Sequence, residues 1–145
     1  MRILGLDVGD VRTGVSISDP LRIIASPLTI LNSKEVNVKE EIIKIVESRG
    51  VKEIIYGLPI SLDGSEKRQA EKVREFIKEL SEMVDVKFTP IDERYSTISA
   101  GNMFSSIGKK KFQKSRLDSV SATIILQNYL DSIRNKWSVI KFLIL

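Results

Sequence analysis

The sequence predicts an α/β fold: a five-stranded mixed sheet, led by three hairpin-connected strands and flanked by helices. Two observations carry this. The first third is rich in short β-type runs broken by glycine, aspartate and proline. After residue 32, apolar residues at helical spacing alternate with short apolar runs, the pattern of βαβ crossovers. Taken along the chain, the predicted order is β-β-β-α-β-α-β-α-α.

Residues 2–8 (RILGLDV) and 13–18 (TGVSIS) flank a short turn with Gly9 and Asp10 and form a hairpin. Residues 22–31 (RIIASPLTIL) are a third strand, with Pro27 marking an edge or a bulge. Asn32, with Glu35 three residues on, resembles a helix start. Val38, Ile42, Ile45, Val46 and Arg49 follow at helical spacing, and Gly50 ends the run. Residues 53–58 (EIIYGL) make a short strand ended by Gly57 and Pro59. The polar loop ISLDGS leads to a helix with Ala70, Val73, Ile77 and Leu80 on one face, and residues 86–92 (VKFTPID) form a fifth strand. Ser96 caps a short helix to about Ile107, Gly108 opens a basic loop, and a last helix runs from about Arg116 to Arg134. The apolar tail 137–145 (WSVIKFLIL) is expected to pack on the core as strand or helix; an oligomer contact is the alternative.

The 145 residues suit one domain, 1–145, with 134–145 as an extension. Nothing at the amino end reads as a secretory leader and no apolar run is long enough to span a bilayer, so a cytoplasmic protein without membrane contact is expected. The chain has no cysteine and no histidine. Disulfides, thiolate or imidazole zinc sites, a histidine base and a cysteine nucleophile are excluded. Any metal must sit among oxygen ligands, which points to magnesium or manganese. The net charge of +4 is compatible with a polyanionic partner, and its distribution says more: residues 109–116 read KKKFQKSR, with five basic residues and no acid.

Three acids stand out. Asp7 shares a strand face with Ile3 and Gly5, where a carboxylate is costly unless it is paired or bound to a cation. A turn aspartate accepting backbone N–H groups, or a partner for Arg12, is the plainer alternative. Asp118 lies on the stripe of Ala122, Ile125, Tyr129 and Ile133 in the last helix, the face that should bury; a first-turn acid complementing the helix dipole is its alternative. Glu93, in IDER, falls at a strand end, where open α/β sheets bind ligands. Asp92 and Glu93 cannot both face one side of an extended strand, and the sequence leaves open which turns inward; a salt bridge with Arg94 is a further alternative. Together, converging carboxylates make a site for a hard cation that promotes phosphodiester hydrolysis, and the basic run would grip the phosphate backbone.

Four blocks, GLDVGDVRTGVSISD (5–19), YGLPISLDGS (56–65), IDERYST (91–97) and RLDSVSATIILQNYLD (116–131), resemble the YqgF family of RuvX-like pre-16S rRNA nucleases and Holliday-junction-resolvase-like proteins. The resemblance spans about residues 2–132. It implies a ribonuclease H-like fold and a triad of Asp7, Glu93 and Asp118 as catalytic and metal-binding residues for Mg2+ or Mn2+. It also implies phosphate contacts from Arg12, Arg94 and Arg116, to which the basic run adds Lys109, Lys110, Lys111 and Lys114. Val11 stands where the family often has lysine, and Ser121 and Thr123 replace small or apolar residues. The implied activity is endonucleolytic trimming of the 5′ end of precursor 16S ribosomal RNA, with resolution of branched DNA as the alternative; the protein would be a monomer or a homodimer. Two other readings remain open: a catalytically weak nucleic-acid-binding module, and a relative of actin-like ATPases, whose phosphate loops look like DVGDVRTG but which need a second domain.

Overall fold

The computed structural model of the protein describes residues 1–60, 68–93 and 114–144, with the helical backbone alone at 114–119, 136–142 and 144. Strands β1 (Arg2–Val8), β2 (Arg12–Ser18), β3 (Ala25–Asn32), β4 (Val51–Leu58) and β5 (Lys87–Asp92) form one sheet in the order β3-β2-β1-β4-β5. β1, β2 and β3 pair antiparallel; β4 pairs parallel with β1 and with β5. The expected mixed sheet is therefore present, and β1 is its central strand.

Period-two alternation sends the two faces of β1 into different cores. Leu4 and Leu6 pack with Val15, Ile17, Ile54 and Tyr56 beneath helices α1 (Val38–Arg49) and α2 (Arg68–Met83). Ile3 packs with Ile55 and with Ile125, Leu126 and Leu130 of helix α3 (Lys114–Ile144) on the other side. The stripe expected in α2 is the buried one: Ala70, Val73, Ile77 and Leu80.

Several boundaries move, each for a local reason. The cap of α1 is Asn37, whose side chain accepts from the Glu40 N–H; Asn32 instead ends β3 and turns the chain, with Oδ1 accepting from the Lys34 N–H at 2.9 Å. β3 starts at Ala25, because Asp19 Oδ1 accepts from the Ile23 and Ile24 N–H groups (2.7 and 3.0 Å) and Arg22 is left-handed (φ 59°), which makes a turn of the expected strand start. Pro27 is on an edge strand and beside a bulge as well, since the register shifts between Val15 and Ser16. The last helix does not stop at Arg134. No glycine or proline interrupts 114–144, so the tail to Ile144 continues the α3 backbone, and Leu143 is exposed. The short helix expected at 96–107 and the loop at 61–67 lie outside the described residues.

Three polar contacts fix α3 on the sheet. Ser16 Oγ donates to the Ala122 carbonyl at 2.7 Å. A Cβ on Gly5 would lie 2.4 Å from Ser16 Oγ and 2.9 Å from Leu126 Cβ, so the absence of a side chain there lets the helix sit this close. Gln127 takes the Ala25 N–H (2.8 Å) and donates to the Ile23 carbonyl (3.0 Å). Tyr129 Oη donates to Glu53 Oε2 at 2.6 Å, and Thr89 Oγ1 donates to the same oxygen at 2.8 Å. Burial, followed by the Glu53 bond and charge, pushes the Tyr129 phenol up to about 12. Because Ala122 lies over Gly5 and Tyr129 reaches Glu53, which pairs with Ile3, α3 descends from the carboxyl end of β1 towards its amino end.

Candidate active site

Asp7 sits near the carboxyl end of β1, half-buried, on the face that carries Ile3, Gly5 and α3. Opposite it in β2 is Gly14. The turn that follows is tight: Gly9 N–H donates to the Arg12 carbonyl at 2.9 Å, and a Cβ on Gly9 would lie 2.5 Å from that oxygen. Arg12 shares the Asp7 face by alternation along β2 and is half-buried, and among the described residues it forms no ion pair. Asp7 is instead coupled to a second acid.

That acid is Glu93. It comes directly after β5, two strands away from β1, a separation of about 10 Å. Between them lies Gly57 of β4. A Cβ there would stand 2.2 Å from Glu93 Oε1 and 2.9 Å from its Cγ and Cδ, so the Glu93 side chain lies across the bare backbone of Gly57. The two carboxyl groups stand close enough for each to favour a proton on the other. Burial, then the charge and side chain of Asp7, then the Asp92 charge, push the Glu93 carboxyl up to about 7. The choice left open at IDER is thereby resolved: Glu93 turns to the Asp7 face, while Asp92 alternates with Phe88, which packs against the opposite core.

Asp118 occupies the helix position one turn before Ala122. That turn carries its backbone about 6 Å further towards the end of β1 that holds Asp7. The expected burial stripe below it is present, with Ala122 and Ile125 buried and Tyr129 and Ile133 packed against the same core. The side chains of Asp118, Lys114 and Arg116, and the whole of Arg94, Lys109, Lys110 and Lys111, lie outside the described residues. Among the described residues no three acids form a metal-binding group. Gly57 escaped sequence reasoning as a site residue. It reads there as a strand terminator, and only the sheet order reveals that Glu93 crosses it.

A β3-β2-β1-β4-β5 mixed sheet with a carboxyl pair at the carboxyl end of its central strand defines a protein of ribonuclease H-like fold. Consistent with this class, the chain aligns with T. thermophilus RuvC in complex with Holliday junction substrate at a TM-score of 0.58, with 13% identity, over 92% of this chain and 96% of that one. The chain belongs to the RuvX family, described as Holliday junction resolvase, which it matches over residues 1–132. It is 45% identical over 133 residues to a Fusobacterium nucleatum protein named "Putative pre-16S rRNA nuclease", covering 90% of this chain and 96% of that one. A Roseiflexus protein of the same name is 37% identical over 135 residues, covering 92% and 96%. Among the described residues, no helix is long and apolar enough to cross a membrane.

Proposed function

We propose that the protein is a divalent-metal-dependent endonuclease that hydrolyses phosphodiester bonds in structured nucleic acid, with the 5′ end of precursor 16S ribosomal RNA as its substrate and the cytoplasm as its place of work. The observation that carries this reading is the close approach of Asp7 and Glu93, two carboxyls brought together across Gly57 at the carboxyl end of the central strand. Family membership and the names of the relatives support it.

The donor set fits a hard cation: only oxygen ligands are available in a chain without histidine or cysteine, and two of them already meet. Asp7, Glu93 and Asp118 would hold Mg2+ or Mn2+. When bound, such an ion activates a water and offsets charge developing on the phosphate. The chain does the rest. Glu93, its carboxyl raised to about 7, would have to be deprotonated to hold a cation, so binding would tighten as pH rises through about 7. Arg12, on the Asp7 face, steadies the phosphate near the acids. Arg94, Arg116, Lys109, Lys110, Lys111 and Lys114 would grip the flanking backbone through charge, without reading sequence.

A second reading, resolution of branched DNA, is favoured by the family's description as Holliday junction resolvase; a homodimer would suit a two-fold junction, whereas trimming RNA needs only a monomer. One assay separates the two: purified protein with manganese is offered a precursor 16S transcript and a four-way DNA junction. Cutting of the transcript at its 5′ end is expected, and cutting of the junction alone would favour the second reading. Asp7→Asn should lower the rate at least 100-fold while leaving nucleic-acid affinity within a few-fold. Full activity in that variant would overturn the proposed role of the pair.

A further inference from the structure

A cavity of about 430 Å³ opens on the sheet face opposite Asp7, at the same end of β1. The β1–β2 turn, the start of α1 and Phe76 of α2 enclose it. Thr13 lines it. Alternation places the Thr13 side chain on the face of Val15 and Ile17, towards α1 and α2. The residue is 2% exposed, yet among the described residues its hydroxyl has no hydrogen-bond partner. Every described side-chain polar atom fully covered from solvent is partnered, so this hydroxyl opens into the cavity.

The amino end of α1 opens into the same space. Asn37 caps it through Glu40 N–H, and the Glu41 N–H returns to the Asn37 carbonyl, which leaves the N–H groups of Val38 and Lys39, both lining residues, without a described acceptor. Two more features suit an anion. The Lys39 ammonium stands over the Phe76 ring, 5.1 Å from its centroid, and pairs with Glu79, which does not line the cavity. Among the described residues, the one carboxylate lining the cavity, Asp10, is offset by Lys72 at 3.2 Å. Glu40 and Glu41, in the first turn of α1, do not line it. Val11 and Val36 supply exposed apolar walls. Free amide donors at a helix start, a cation and a buried hydroxyl bind phosphate; apolar walls and a volume in the small-ligand range accept a sugar and base.

We infer that this cavity is a second binding site, for a nucleotide phosphate, with the phosphate at the start of α1 and the nucleoside against Val11, Val36 and Phe76. The nucleotide belongs either to the bound strand, folded around the β1–β2 turn from Asp7, or to a free mononucleotide. Only the first source rests on the nuclease reading.

The test is a titration of the full chain in EDTA with inorganic phosphate, 5′-AMP and a single-stranded 12-mer, followed by calorimetry and by ligand-induced Tm shifts. Saturable binding by the wild type is expected, weakened at least tenfold in Thr13→Val and in Lys39→Gln and unchanged in Asp7→Asn. Thr13→Val without ligand should melt at the wild-type temperature or above, because an isosteric methyl replaces a hydroxyl that no protein group uses. Binding of 5′-AMP as tight as that of the 12-mer identifies the free nucleotide; binding of the 12-mer alone identifies the strand. Absence of saturable binding to all three, undiminished binding in both cavity variants, or a lower Tm for unliganded Thr13→Val would overturn the site. Loss of cleavage in Asp7→Asn with intact 5′-AMP binding separates this site from the acids.

Discussion

The carboxyl pair makes a prediction that needs no substrate. In the metal-free protein, the folded state binds the Glu93 proton more tightly than the unfolded chain does, because its pKa is raised from 4.5 to about 7. The resulting stabilisation is fully present below about pH 4.5 and is lost as pH rises to about 7, where the folded protein must either keep the proton or hold two charges together. At 1.36 kcal/mol per tenfold change in proton affinity, the shift corresponds to about 3 kcal/mol, and the carboxyl's remaining contact with water reduces the expected effect to about 1–2 kcal/mol. For a chain of this size that is a fall in Tm of about 2–8 °C across the window. Asp7→Asn removes the neighbouring charge but leaves the burial of Glu93, the largest cause, in place. The variant should therefore show a shallower decline, and at pH 8 it should melt above the wild type. Thermal unfolding of both proteins in EDTA, from pH 4 to 8, measures the difference directly. Manganese at pH 8 should raise the wild-type Tm and do so less for the variant. Parallel curves for the two proteins between pH 5 and 8 would refute the coupling of Asp7 to Glu93.

Three further substitutions probe the frame around the pair. Gly57→Ala puts a Cβ 2.2 Å from Glu93 Oε1, at the far end of a flexible side chain; cleavage should fall at least tenfold in single-turnover assays while Tm changes little, and an unchanged rate would mean that Glu93 need not cross β4. Gly5→Ala drives a Cβ against Ser16 Oγ and Leu126 Cβ and should cost about 1–3 kcal/mol in urea unfolding, as α3 is lifted off the sheet. Replacing Lys109, Lys110 and Lys111 with alanine should weaken nucleic-acid binding and make the log–log salt dependence shallower by about 2–3; an unaltered slope would remove the basic run from the interface.

Much of the fold was legible because local signals agreed with tertiary need. The β1–β2 hairpin, the buried stripe of α2 and the Gly50 terminus of α1, left-handed at φ 65°, all follow from periodicity and from glycine's freedom. Where two local signals competed, the reading slipped. Asn32 and Asn37 are both followed three residues on by glutamate, at Glu35 and Glu40, and only the register of β3, which holds Asn32 against Arg12, leaves Asn37 as the cap. Ile23 and Ile24 read as strand residues but are exposed, because Asp19 captures their N–H groups in a turn. The last helix, expected to end at about Arg134, continues to Ile144, because without glycine or proline the backbone has no reason to stop.

Sequence alone determined that Asp7 would share a strand face with Ile3 and Gly5 and that no thiolate or imidazole ligand could serve beside it, since both follow from residue identity and a period of two. Tertiary structure alone decided which acid answers Asp7. Asp92 and Glu93 are equivalent in composition and adjacent in the chain; what separates them is that β5 lies two strands from β1, with Gly57 between. A side chain can cross a neighbouring strand only where that strand has none of its own, and such a clearance belongs to the pairing register of a sheet rather than to any single segment.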